Sequence, residues 1–264
     1  ANVIATGADF SVAGDFTLAS DLSVGQTLTV VGTTTLNNTL TVIRSAVLSS
    51  ELSVGGSLKV TGAETVSGTL SVNAATTLNS VLAVKGAVTL ESTLSLAGAL
   101  TVTGAETVSG TLSVNGVTTH QSYVNIRDSV TVSSQLSVGG NLTLTGNETV
   151  SGTLSVNGLT DLRYLRVVQS ATVSSQLSVG GNLTLTGNET VSGTLSVNGV
   201  TALGYANLLQ SATVSSQMRV GGNLTLTGAE TVSGTLSVNG VTTLNYTNML
   251  QSATVSSQMS VGGN

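Results

Sequence analysis

The sequence predicts an all-β fold, a hexapeptide-repeat β-helix, on three observations. From Asp9 the chain divides into six-residue units of one plan: polar, apolar, polar, apolar, polar, small. Residues 141–146 (NLTLTG), 147–152 (NETVSG) and 153–158 (TLSVNG) show it. The apolar residues at places two and four alternate with Thr and Ser, the period of a strand with one buried face. Place six is mostly Gly, otherwise Ser, Asn or Ala, where the chain must bend and a Cβ is a handicap. Each hexad is thus a short strand followed by a corner.

In chain order, residues 1–8 are a lead-in outside the frame, and 9–264 read as one continuous repeat. Hexads run without a slip from 9 to 158. A fixed short period marks a solenoid or fibre, because each unit buries its apolar side only by stacking on the next. A longer period lies on top. Glu64, Glu106 and Glu148 recur every seven hexads, at steps of 42, and Glu189 and Glu230 follow at steps of 41. Tyr123, Tyr164, Tyr205 and Tyr246 are spaced by 41, so 159–163, 200–204 and 241–245 are five-residue units. The three shortened corners are expected to change the local twist or diameter. The chain starts at Ala1 and stops at Asn264 just after opening a repeat, so it is expected to be a segment of a longer protein.

The frame assigns side-chain directions. Place four, as in Val12, Leu18, Val150 and Leu208, is the deep inward position. Place two is usually Leu, with Thr34, Thr76, Thr118 and Thr160 recurring nearer a corner. All seven basic residues (Arg44, Lys59, Lys85, Arg127, Arg163, Arg166, Arg219) fall at outward or corner places. β-branched Thr and Val suit a pleated surface, and no segment has helical spacing.

Composition narrows the function. With 2% aromatic and 7% charged residues, the core must be built from Val, Leu and Ala. No apolar run approaches the roughly 18–20 residues that cross a bilayer, so no membrane insertion is expected. The formal charge of −5 is scattered, and no basic patch invites nucleic acid. There is no Cys and a single His, so nucleophile–base constellations lack their parts, and no enzyme is expected.

Two apolar side chains per hexad do not offset the ordering of the whole hexad, so stacking must supply the rest. A single-chain, three-walled β-solenoid would use three hexads per coil and return each seven-hexad repeat on a different wall. An intertwined parallel homotrimeric triple β-helix places the same hexad on all three walls at each level, which favours the trimer. Three hexads would climb about 14 Å in the trimer, against one strand spacing of about 4.8 Å in the solenoid.

The run Gln135-Leu-Ser-Val-Gly-Gly-Asn-Leu-Thr-Leu-Thr-Gly-Asn-Glu-Thr-Val-Ser-Gly-Thr-Leu-Ser-Val-Asn-Gly158 resembles the shaft repeats of fibre proteins of bacteriophages and large DNA viruses. The resemblance covers 9–264. It implies a homotrimeric triple β-helix in the virion or outside the cell, which holds a host-receptor-binding tip away from the particle. Its partners would be its own copies, other virion fibre, baseplate or capsid proteins, and a host receptor reached through a tip that this sequence lacks. A cellular surface filament or adhesin stalk is the alternative. An ice-binding β-solenoid is a third reading, suggested by outward Thr-x-Thr pairs such as Thr143 and Thr145.

The irregular residues are the candidate sites. Glu64, Glu106, Glu148, Glu189 and Glu230 put a carboxyl at place two, where Leu belongs. One reading is a corner partly open to water. The other is a ring of three carboxylates that traps a cation or shares protons. His120 stands at place four, where the other long repeats have Leu36, Leu78, Leu162, Leu203 and Leu244. In a trimer three imidazoles would meet on the axis and could bind a metal ion; otherwise no cofactor is expected. In a single-chain solenoid it would be one neutral histidine with a local partner. The Tyr series reads as a cover for the shortened corners or as a receptor-facing stripe.

Overall fold

The computed structural model describes residues 9–249 and 251–262; the lead-in 1–8 lies outside them. Every regular element among the described residues is a β-strand, and every ladder between them is parallel. The chain forms a parallel β-solenoid in two compact units, Ala1–Asp128 and Ser129–Asn264. All three shortened segments fall in the second.

In the first unit each hexad is a short strand over places two to four, then a bend. Leu70–Val72, Thr76–Leu78 and Leu82–Val84 are successive examples. Leu70–Val72 pairs with Leu52–Val54 on one side and Val88–Leu90 on the other. Neighbouring strands are therefore three hexads apart in the same chain, and three strands make one coil with three walls. This is the register that the single-chain solenoid requires. Places two and four are buried and place three faces out, so Leu70 and Val72 are both fully enclosed. The corners join the ladder as well: Leu70 N–H donates to Ala87 O at 2.9 Å and Asn73 N–H to Val54 O at 3.1 Å. Backbone groups at the corners thereby pair with the coils before and after, which a dry aliphatic core demands.

In the second unit the missing residue appears as a β-bulge. Leu144 pairs with Leu162 and Asn147 with Tyr164, so Thr145 and Gly146 face Arg163 alone. The irregularity recurs between Leu185 and Asn188 and between Leu226 and Ala229. At each bulge the corner straightens, and two walls' strands merge into one long strand, Leu142–Val150, Leu183–Val191 or Leu224–Val232. Coils through the shortened segment are one residue short of three hexads, as in Leu154 with Ala171, and the full period then returns, as in Leu165 with Leu183. A bulge absorbs one unpaired residue while both flanking ladders stay intact.

The glycines answer to a different constraint from the one the sequence suggests. No described residue has a positive φ. What excludes a side chain is the coil before: a Cβ on Gly86 would meet Gly68 C at 2.6 Å, and one on Gly187 would run into the carbonyl oxygen of Gln169. Gly14 has nothing within 4 Å of its would-be Cβ. Gly187→Ala should therefore destabilise the fold, by on the order of 1–3 kcal/mol, and lower its melting temperature, while Gly14→Ala leaves it unchanged. Thermal melts of the two variants check this, and equal effects would contradict it.

Candidate functional site

The irregular polar residues all lie inside the solenoid. Glu64 and Glu106 are 0% exposed, Glu148 and Glu230 1%, and Glu189 2%. They are not corner carboxyls open to water. Place two of each short strand faces the core as squarely as place four, and the stacked coils above and below close over it. Nor do they gather into a ring within one coil, since consecutive ones are more than two coils apart in the chain-internal register. The backbone around them is already committed, with Glu64 N–H donating to Val81 O at 2.9 Å. The carboxyls of Glu64, Glu148, Glu189 and Glu230 have no hydrogen-bond partner among the described residues. A charged carboxylate there would be stripped of water without compensation. Burial accordingly pushes the carboxyl up to about 8 in Glu64, Glu106, Glu148 and Glu189, and to about 7 in Glu230. At neutral pH Glu64, Glu106, Glu148 and Glu189 are favoured as carboxylic acids rather than carboxylates, and Glu230 less so.

Two hexads after each glutamate a threonine takes place two: Thr76, Thr118, Thr160, Thr201 and Thr242. Each is buried, and its hydroxyl has no hydrogen-bond partner among the described residues. Five long repeats thus carry an acid and a hydroxyl inside an otherwise aliphatic core, and the first has the hydroxyl of Thr34 but Leu22 in the acid's place.

His120 ends the strand Thr118–His120, aligned with Val102 on the coil before, and is 1% exposed. Its Nδ1 lies 3.2 Å from Oε2 of Glu106, with both side chains wholly buried. The contact is a hydrogen bond only when one of the two atoms carries a proton. Burial lowers the imidazole to about 4 and raises the carboxyl, so both groups are favoured in their neutral forms, close together but without a well-formed hydrogen bond between Nδ1 and Oε2. His120 Nε2 has no partner among the described residues. The single-chain coil thus brings one carboxyl to His120 rather than two further imidazoles. Among the described residues no group of three or more His, Asp or Glu side chains is arranged to hold a metal ion.

Thr118 shares the inward face of the His120 strand, so hydroxyl, imidazole and carboxyl occupy one neighbourhood. In kind these are the parts of a nucleophile–base–carboxyl constellation. The neighbourhood is sealed, since Thr118, His120 and Glu106 are each at most 1% exposed. The His120–Glu106 pair is a buried polar contact in this structure.

At the surface, Tyr164 and Tyr205 sit beside the shortened corners. A Cβ on Gly181 would run into the Tyr164 ring, and one on Gly222 into the Tyr205 ring, so each ring lies over a glycine of the following coil. The rings cover the shortened corners and remain 39% and 53% exposed. Sequence reasoning missed a recurring support there. The side-chain oxygens of Asn141, Asn182 and Asn223 each accept a hydrogen bond, at 2.9 Å, from the N–H of Leu159, Val200 and Val241. Those N–H groups open the three five-residue segments, and the identical spacing of Asn141, Asn182 and Asn223 was the signal available. No protein-family model, curated protein or solved structure matches this chain.

Proposed function

We propose that the chain is a structural shaft, the stem of a viral tail or capsid fibre that holds a host-receptor-binding tip away from the particle. The observation that carries this reading is the ladder itself. Within each unit coil follows coil in the same parallel ladder over a largely aliphatic core, the register shifting by one residue only at the bulges, so a repeat adds rise without adding chemistry. In this reading the chain works in the virion or outside the cell, its partners are other fibre, baseplate or capsid proteins, and it performs no catalysis. A cellular filament or adhesin stalk would use the same ladder. Antibodies against the purified chain should decorate fibres on particles. Labelling of cell-surface filaments on particle-free cells would overturn the viral assignment.

The ice-binding alternative fares worse, because Thr143, Thr184 and Thr225, which begin the recurring Thr-x-Thr pairs, stand in three different outward rows. Thr143 stacks on Asp161, Thr184 on Arg166 and Ala202, and Thr225 on Asn207. No flat wall collects them.

One observation favours a homotrimer as a second reading: the acids and hydroxyls left without partners inside a core closed by one chain. About a threefold axis each glutamate would meet two copies at its own level and could share protons with them, and three His120 rings could hold an ion. Light scattering separates the forms by mass, 26.2 kDa for one chain or three times that for the trimer. Elemental analysis of a trimer would detect the ion.

A further inference from the structure

We propose that one wall of the second unit is a binding site for an acidic polysaccharide, centred on Tyr164 and Arg166 and extended by Arg219. The site goes beyond the shaft reading and does not depend on it.

The bulge shapes the surface here. Where the corner straightens, a shallow groove of about 330 Å³ opens, lined by Asn147, Thr149, Tyr164, Arg166, Asn182 and Thr184, with the buried Glu148 also in its lining. A second groove of about 270 Å³ shares Thr184 and takes in Arg219. The two follow one outward row, in which Thr149, Arg166, Thr184, Ala202 and Arg219 stack coil upon coil. Arg166 and Arg219 are three coils apart, about 14 Å at the parallel-strand spacing. Arg163 lies with its guanidinium 5.7 Å from the centre of the Tyr164 ring.

The charge of this unit differs from that of the chain. Its basic residues are Arg163, Arg166 and Arg219, and its acidic side chains are Asp161 and the three glutamates enclosed in the core. Asp161 stands in a different row, between Thr143 and Ser178. None of the three arginines makes a salt bridge among the described residues; Arg219 reaches only Gln217, at 3.4 Å. The wall therefore presents unpaired guanidinium groups in a protein whose formal charge is −5.

The lining identifies the ligand class. A half-exposed aromatic ring packs against the C–H face of a pyranose, amides and hydroxyls pair with its hydroxyl groups, and guanidinium forks take carboxylates in two-point contacts. A nucleic acid fits less well. A duplex carries one charge per about 1.7 Å, and the two arginines of this row, with Arg163 beside it, cannot match that density. A polyuronate, with its charges spaced along a hydroxyl-rich chain, fits both the sparse cations and the amide-lined groove.

The repeat supplies its own control. In the next copy the residues equivalent to Arg163 and Arg166 are Gly204 and Asn207, and those equivalent to Arg219 are Ser178 and Ser260. The Arg163→Gly/Arg166→Asn double variant and Arg219→Ser thus install residues this fold already carries at the same places. The purified full chain is titrated with alginate oligosaccharides, neutral dextran and an oligothymidylate at low salt, and melts are recorded for each variant. Alginate should bind, dextran should not, and the double variant should lose at least tenfold in affinity with an unchanged melting temperature. Arg219→Ser should lose less. The proposal is overturned if alginate does not bind, if the double variant binds it as well as the native chain, or if dextran binds equally. Oligothymidylate binding tighter than alginate would replace it with a nucleic-acid site.

Discussion

The protein should be more stable at about pH 5 than at about pH 8.5, and Glu64→Leu or Glu148→Leu should raise its stability at the alkaline end. The carboxyls of Glu64, Glu106, Glu148 and Glu189 are held at about 8 in the folded chain, against an ordinary 4.5. Between those values the folded state binds protons that the unfolded state has released, so stability is complete below about pH 4.5 and falls as pH rises toward 8. His120 works the other way. Its folded value of about 4 lies below the ordinary 6.5, so its contribution is complete above about pH 6.5 and is lost on acidification. One histidine does not offset five glutamates, and the net slope follows the acids. Each fully buried carboxyl accounts for several kcal/mol at most, enough to move the melting temperature by on the order of 10 °C across this range. Leucine, the usual residue at place two, leaves no polar group to desolvate. Differential scanning calorimetry from pH 5 to 9 checks this, and a melting temperature that rises with pH would refute the buried acids.

Val150→Asp should unfold the second unit or cost it more than about 4 kcal/mol, whereas Thr149→Asp should be neutral. Val150 is 0% exposed and stacks between Val132 and Val167 in an unbroken apolar column. An aspartate there has no partner and no water, and the cost of either ionising or burying it falls entirely on the fold. Thr149 is the adjacent residue on the opposite face, with Thr131 and Arg166 as its ladder neighbours. A carboxylate beside Arg166 is a favourable cross-strand pair worth a few tenths of a kcal/mol. Comparable melting of the two variants would mean that the assignment of inward and outward places is wrong.

The strand frame was legible because hexad alternation leaves one answer for which residues turn inward. Val150, Leu70 and His120 are where the alternation puts them. The partner of His120 was not legible. Glu106 belongs to the strand two hexads earlier, and the two meet only because the three walls of a coil turn the chain back on itself. The glutamates were placed on the inward face, but how completely they are closed off was not legible for a related reason: an acid in a Leu position suggests a corner partly open to water, and only the stacked coils close place two. The shortened segments could be located to the residue, but whether a lost residue narrows a coil or forms a bulge depends on the facing strand, where Thr145 and Gly146 oppose Arg163 alone. Glycine at place six was read as a bend. The need for it comes from the neighbouring coil, one full turn of the chain away, as with Gly86 above Gly68.

The central claim is that each coil hydrogen-bonds the next coil of the same chain, three hexads on. Thr89 and Thr107 are facing partners in that ladder, and adjacent parallel strands are about 4.8 Å apart, within the Cα separation of about 4.4–6.8 Å that a disulfide spans. In an intertwined trimer the same two residues of one chain would be about 14 Å apart, and Thr89 would lie beside residue 95 of another chain instead. The decisive measurement is oxidation of two double variants, Thr89→Cys/Thr107→Cys and Thr89→Cys/Ser95→Cys, followed by a non-reducing denaturing gel and peptide mapping. The account predicts a closed loop from 89 to 107 within a monomer and no cross-link between chains. Chain-to-chain bonds from 89 to 95, with none from 89 to 107, would contradict it.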